Sequence, residues 1–96
     1  LLPASVTALK ANYPNPFNPE TVIAYSIKDA GQVRLEVYNL KGQLVRSLVN
    51  GEQQSGHYKV VFDARDDQGK ALSSGIYMYR LQTGSYSSTR KMMLME

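Results

Sequence analysis

The chain has 96 residues, a length that supports one domain over residues 1–96 with a single modest hydrophobic core. Its net charge of +3 comes from Lys and Arg residues spread along the chain rather than clustered, so nucleic acid is not an expected partner. The absence of cysteine excludes disulfides and thiolate chemistry, and no apolar stretch approaches the ~20 residues that span a bilayer. Because the chain starts at Leu1 rather than Met, we expect it to be part of a larger protein.

The apolar pattern predicts an all-β fold of seven short strands, separated by turn signals every ~8 to 12 residues. No stretch has a sustained helical period. The first strand is expected over residues 5–11, with Val6 and Leu9 as its apolar residues.

Residues 12–21, which we call the strap, contain three prolines alternating with Asn and aromatic residues. Proline removes a backbone donor and forces its predecessor into extended geometry, so a helix is excluded. We predict an ordered, extended crossing between the first strand and the body of the domain, in which aromatic side chains are apolar anchors and Asn side chains hydrogen-bond to nearby backbone. The motif residues are Tyr13, Pro14, Asn15, Pro16, Phe17, Asn18 and Pro19.

Alternation of apolar residues predicts the next three strands. One covers residues 21–28, the next contains Val33, Leu35 and Val37, and a hairpin at Lys41 and Gly42 leads into residues 43–49. A polar loop is expected over residues 50–56.

The last three strands are expected over residues 57–63, 75–83 and 86–95, with a long loop over residues 64–74. In the sixth, Gly75 and Tyr77 form a Gly-x-Tyr sequence that is typical of the tyrosine corner of immunoglobulin-like sandwiches. The seventh becomes apolar on both faces toward its end, so one face is expected to be buried and the other available to a partner.

Two kinds of site other than a protein-binding surface are possible. Asp63, Asp66 and Asp67 are weak candidates for a metal site, but a turn with side-chain capping explains them more simply. A carbohydrate platform would need several tyrosines on one exposed face, and too few are expected outside the core. With one histidine, His57, and no serine in a nucleophile-elbow context, an enzyme is not expected and no cofactor is predicted.

The strap sequence resembles the opening of the C-terminal sorting domains of the type IX secretion system, and of the related immunoglobulin-like module of flagellar hook-capping proteins. Three further segments look like later motifs of the same family, in the same order: residues 32–42, 74–81 and 89–94. The resemblance implies a seven-stranded immunoglobulin-like (fibronectin III-like) antiparallel β-sandwich without catalytic activity.

For a sorting domain, the resemblance implies a path through the periplasm to the cell surface or the medium. The partners would be an outer-membrane secretion translocon and a sortase-type peptidase. The residues expected to be recognised lie in the terminal strand, whose free edge could also support weak self-association: Arg90, Lys91, Met93, Leu94 and Met95. The sequence leaves open a structural or adhesive spacer of the hook-cap type, and less readily a carbohydrate-binding module.

Overall fold

Seven antiparallel strands in two sheets form the fold of residues 2–95, the part of the chain that this computed structural model describes. The strands are β1 (Ala8–Leu9), β2 (Thr21–Ile27), β3 (Gly31–Tyr38), β4 (Leu44–Gln53), β5 (Gly56–Phe62), β6 (Gly75–Thr83) and β7 (Tyr86–Leu94). One sheet has the order β1-β2-β5 and the other β4-β3-β6-β7. The predicted immunoglobulin-like β-sandwich is confirmed.

The core lies between the two sheets and is built from alternate residues of each strand. Its largest fully buried side chains come from both sheets and from the strap: Tyr25, Tyr79, Phe17, Phe62, Ile23, Ile27, Leu35, Leu81, Met92, Val33 and Val37. Burying each large apolar side chain contributes roughly 1.5 to 3 kcal/mol. The alternation predicted for the third strand is confirmed, since Val33, Leu35 and Val37 are all buried.

The first strand is shorter than predicted. Of residues 5–11, Ala8 and Leu9 form the strand that pairs with β2, and Val6 is 58% exposed rather than part of an apolar face. The segment before Ala8 is linked to β2 by a side chain instead, since the Ser26 hydroxyl donates to the Val6 carbonyl at 2.7 Å.

The prediction of a polar loop over residues 50–56 is wrong for most of that range. Residues 50–53 continue β4 and pair with the start of β3, with Gly51 opposite Val33 and Gln53 opposite Gly31. Local turn propensity favours a loop there, but pairing along the whole length of β3 satisfies the backbone and leaves the polar side chains on an edge strand that faces water.

Candidate functional site

The base of the strap is fixed by a buried hydrogen-bond network. Asn12 is 4% exposed, and its Nδ2 donates to Thr21 Oγ1 at 3.0 Å and to the Pro14 carbonyl at 3.3 Å. The Thr21 hydroxyl donates to the same carbonyl at 2.8 Å. The peptide bonds before Pro14, Pro16 and Pro19 are cis. Since proline has no N–H, the side chains of Asn12 and Thr21 supply donors that this backbone lacks, and the strap is an ordered part of the fold.

The middle of the strap adds to the edge of the four-stranded sheet. The Phe17 N–H donates to the Met93 carbonyl at 2.9 Å, and the Phe17 carbonyl accepts the Met95 N–H at 3.0 Å. Asn15 Oδ1 accepts the Met93 N–H at 3.0 Å. The end of β7 is therefore not the unpaired edge that the sequence predicts, because the strap already occupies it over residues 93–95.

The two aromatic residues of the strap have opposite environments. Phe17 is 2% exposed, and its ring lies 6.0 Å from the Phe62 ring, between centroids. Tyr13 is 80% exposed, so the expectation that it anchors the strap through its side chain is wrong. The backbone of Tyr13 holds this part of the strap instead. Its N–H donates to the Val22 carbonyl at 3.0 Å, and its carbonyl accepts the Val22 N–H at 2.9 Å.

The residues predicted for partner recognition lie on both faces of the terminal strand. Met92 and Leu94 are 1% and 2% exposed and belong to the core, so the assignment of Leu94 to a recognition surface is wrong. Lys91, Met93 and Met95 are exposed on the other face. Strand alternation accounts for this division, since every second side chain must close the sandwich.

Arg90 lies on the face opposite Lys91 and is used within the fold. Its Nε donates to the Leu9 carbonyl at 2.9 Å, which joins β7 to β1 across the side of the sandwich. The recognition surface that the sequence predicts is therefore reduced, in this structure, to the side chains of Lys91, Met93 and Met95.

A groove lies between the strap and the outer face of the four-stranded sheet. We call it the strap groove; its volume is about 310 Å³, and it is lined by Asn15, Pro16, Ile76, Lys91, Met92 and Met93. Strand pairing places Ile76 directly opposite Met93. The lining is mainly apolar, with one cation and one amide, and offers no nucleophile or acid-base pair.

The tyrosine at the start of β6 closes a corner of the fold. Tyr77 is 6% exposed, and its hydroxyl donates to the Ser73 carbonyl four residues upstream at 2.7 Å. Gly75 has a φ of +154°, which residues with a Cβ rarely adopt. This is the geometry of a tyrosine corner, and it accounts for the glycine two residues before the tyrosine.

Other tyrosines also act within the fold. Tyr79 donates its hydroxyl to the Lys10 carbonyl at 2.7 Å, and Tyr25 donates to Gln53 Oε1 at 2.8 Å. Burial raises the pKa of both phenols above the usual value. Tyr38 is tied to the Glu36 carboxylate at 2.7 Å, and the Tyr86 hydroxyl accepts the Leu9 N–H at 3.2 Å. These tyrosines do not form a shared stacking face for a sugar.

The three aspartates that were weak metal candidates each have partners within the fold, and Asp63 and Asp67 share Arg46. Asp63 Oδ1 accepts a hydrogen bond from Arg46 Nη1 at 2.8 Å. Asp66 Oδ1 accepts the N–H groups of Gln68 and Lys70 at 3.0 and 2.9 Å. Asp67 Oδ1 accepts the Ser47 N–H at 3.1 Å. Partial burial alone would raise the pKa of Asp63, but the hydrogen bond and charge of Arg46 lower it below the usual range. Among residues 2–95 no group of three or more potential ligands could hold a metal ion.

Sequence reasoning did not identify the strap groove. It predicted that Asn side chains of the strap hydrogen-bond to nearby backbone, as Asn12 does with the Pro14 carbonyl, but not the contact between Asn12 and Thr21. Alternation predicts that Ile76 faces outward on β6 and that Met93 lies on one face of β7. Only the pairing of β6 with β7 makes the two residues neighbours. Nothing in the local sequence places Asn15 against residues 78 positions later.

The fold and site define an immunoglobulin-like β-sandwich module with a strapped terminal strand. The sequence model of the FlgD Ig-like domain family matches residues 18–87, and the chain belongs to this family of non-catalytic modules. A comparison with curated protein sequences gives no match. Within residues 2–95 no helix has the length and apolarity needed to cross a membrane.

Solved structures with the same fold include proteins from two bacteria. Dimeric latent PorU from Porphyromonas gingivalis is similar over 93% of this chain and 9% of its own, with a TM-score of 0.73 and 19% identity. PorZ from the same organism, described as an essential surface component of the type IX secretion system, is similar over 90% of this chain and 11% of its own, with a TM-score of 0.60 and 18% identity. FlgD from Pseudomonas aeruginosa is similar over 77% of this chain and 58% of its own, with a TM-score of 0.59 and 24% identity. The chain thus spans only part of each of these proteins.

Proposed function

We propose that this module is a sorting domain that directs a larger protein through the type IX secretion system to the cell surface or the medium. The observation that carries the proposal is the likeness to a segment of PorZ, a surface component of that system, over 90% of this chain. The segment is a small part of PorZ, as a sorting module would be of its cargo. The strap and terminal-strand motifs, which resemble those of sorting domains, support the same conclusion.

In the proposed mechanism the module passes through the periplasm and is recognised by an outer-membrane translocon, and a sortase-type peptidase then separates it from the cargo. Recognition requires a surface that different cargos can present identically. Lys91, Met93 and Met95 suit this role because the strap pairs with the backbone of residues 93–95 and holds their side chains outward. Flexible thioethers adapt to a partner, and a rigid backbone lowers the entropy lost on binding.

The test uses a reporter protein fused ahead of residue 1 in a bacterium with a type IX system. Deleting residues 91–96 is not informative, because it removes the buried Met92 and Leu94 and destabilises the fold. We therefore use Lys91→Glu and Met95→Ser, with Lys59→Glu, an exposed lysine on β5 of the other sheet, as the matched control.

We expect Lys91→Glu and Met95→Ser to trap the reporter in the periplasm, as measured by fractionation and by protease treatment of intact cells. The Lys59→Glu control should reach the surface, and all three domains should keep the wild-type melting temperature. Failure of the wild-type fusion to reach the surface would refute the sorting role, and normal surface delivery by both Lys91→Glu and Met95→Ser would refute recognition through these two side chains.

The second candidate function is a structural spacer of the hook-cap type. The specific observation in its favour is the match of residues 18–87 to the FlgD Ig-like domain family. A spacer carries no sorting information, so it predicts that the reporter fused to the wild-type domain does not reach the cell surface.

A further inference from the structure

The strap groove has the size and lining of a small binding site. Its volume of about 310 Å³ lies at the lower end of the ~300 to 1,000 Å³ typical of ligand pockets. Pro16 and Asn15 form the strap wall, Ile76 and Met93 lie on the sheet side, and Lys91 lies beside them. Such a site accommodates one or two side chains of a partner rather than a large cofactor.

The groove continues into an apolar half of the outer sheet face. Strand pairing aligns a row of four residues across this half: Leu44, Tyr38, Met78 and Lys91. Leu44, Met93 and Met95 are 49%, 38% and 51% exposed. The row nearer the other end of the same sheet is polar throughout: Asn50, Arg34, Gln82 and Ser87. Apolar side chains exposed together on one half of a sheet face are typical of an interaction surface.

Lys91 is the cation of this apolar half. Arg80, on the adjacent outward-facing row of the sheet, lies 3.6 Å from the Glu36 carboxylate. Within residues 2–95 Lys91 has no ion pair. Among the described residues its ammonium is therefore available to a carboxylate of a partner.

Asn15 adds a second donor to the groove. Its Oδ1 accepts the Met93 N–H at 3.0 Å, which fixes the orientation of the amide. Nδ2 makes no hydrogen bond among the described residues and remains available to a ligand. An ammonium and an amide N–H beside an apolar wall form a site that is complementary to a carboxylate next to an apolar side chain.

We propose that the strap groove binds a segment of a partner protein in which an acidic side chain lies next to apolar side chains. The carboxylate pairs with Lys91 and the Asn15 amide, and the apolar side chain packs on Pro16, Ile76 and Met93. The inference deepens the proposed function and rests on it for the identity of the partner as part of the secretion apparatus. Binding by the groove itself can be measured without any secretion.

The probe is the peptide acetyl-Leu-Glu-Leu-amide, titrated into the ¹⁵N-labelled 96-residue chain and followed by amide chemical shifts. Acetyl-Leu-Gln-Leu-amide is the matched control, because it has the same shape without the charge. We expect saturable shifts at the amides of Lys91 and Met93, with the Glu peptide binding about threefold to fivefold more tightly, as an exposed ion pair allows. Added salt should reduce the difference.

Two lysine variants separate the groove from general charge. In Lys91→Met the preference for the Glu peptide should disappear, while Lys59→Met on the other sheet should retain it. Equal binding of the two peptides to the wild-type chain, shifts confined to other surfaces, or a preference that survives in Lys91→Met would each overturn the proposal.

Two other occupants would also overturn it. Stronger binding of acetyl-Gly-Leu with a free carboxylate would assign the groove to a chain terminus. A concentration-dependent dimer in sedimentation equilibrium, abolished by Lys91→Glu, would assign it to a second copy of this chain. If the peptides fail to bind but Lys91→Glu still blocks delivery, the sorting role stands without this ligand. If they bind but the wild-type fusion does not reach the surface, only the sorting role is refuted.

Discussion

Replacing Phe17 by Ala tests whether the strap is part of the core. The ring is 2% exposed, packs 6.0 Å from Phe62, and belongs to the residue whose backbone pairs with Met93 and Met95. Truncating a buried Phe costs about 3 to 5 kcal/mol from lost burial and the cavity left behind. Small domains have a total stability of about 5 to 15 kcal/mol, so the loss is a large part of it. The melting temperature should fall by roughly 12 °C or more.

The assay is urea unfolding, followed by far-ultraviolet circular dichroism and repeated by thermal melting. Tyr13→Ala is the matched control, because it removes an aromatic ring from the same strap at a position that is 80% exposed and should cost within about 0.5 kcal/mol. A loss below about 1 kcal/mol for Phe17→Ala, or equal losses for the two variants, would refute the reasoning and leave the strap as a linker outside the core.

Two further predictions concern stability. Tyr77→Phe removes the hydroxyl that donates to the Ser73 carbonyl and should lower the stability by about 1 kcal/mol. This is the lower end of the usual range, because Ser73 is exposed and water can replace the lost donor. An unchanged melting temperature would contradict the tyrosine corner. The pKa of Asp63 is lowered in the folded chain, so its contribution is present above the unfolded pKa of about 3.9 and is lost as the pH falls through the folded pKa. Asp63→Asn should therefore be less stable than wild type near neutral pH and should approach it in acid, as measured by urea midpoints. A gap independent of pH, or one reproduced by Asp29→Asn in an exposed turn, would contradict this.

The sequence by itself determined the fold class and most of the core. Alternation in β3 identified the inward face formed by Val33, Leu35 and Val37, because a period of two is a property of the backbone and does not depend on the partner strand. Proline chemistry excluded a helix in the strap, and the Gly-x-Tyr pattern indicated the corner at Tyr77. Each of these inferences rests on geometry within a few residues.

The tertiary structure decided where the elements meet. Tyr13 and Phe17 are both aromatic strap residues, and only the position of Phe62 and of β7 makes one buried and the other exposed. Residues 50–53 look like a loop locally and become strand because β3 is long enough to pair with them. Such outcomes depend on contacts between residues that are distant in sequence.

The strap groove depends on tertiary structure most of all. Lys91 and Met93 could be placed on one face of a terminal strand by alternation, but their neighbours could not be read from the chain. Asn15 reaches the Met93 N–H across 78 residues, and Ile76 reaches Met93 through strand pairing. Sequence periodicity fixes the direction of a side chain, whereas the register and packing of distant segments determine what it contacts.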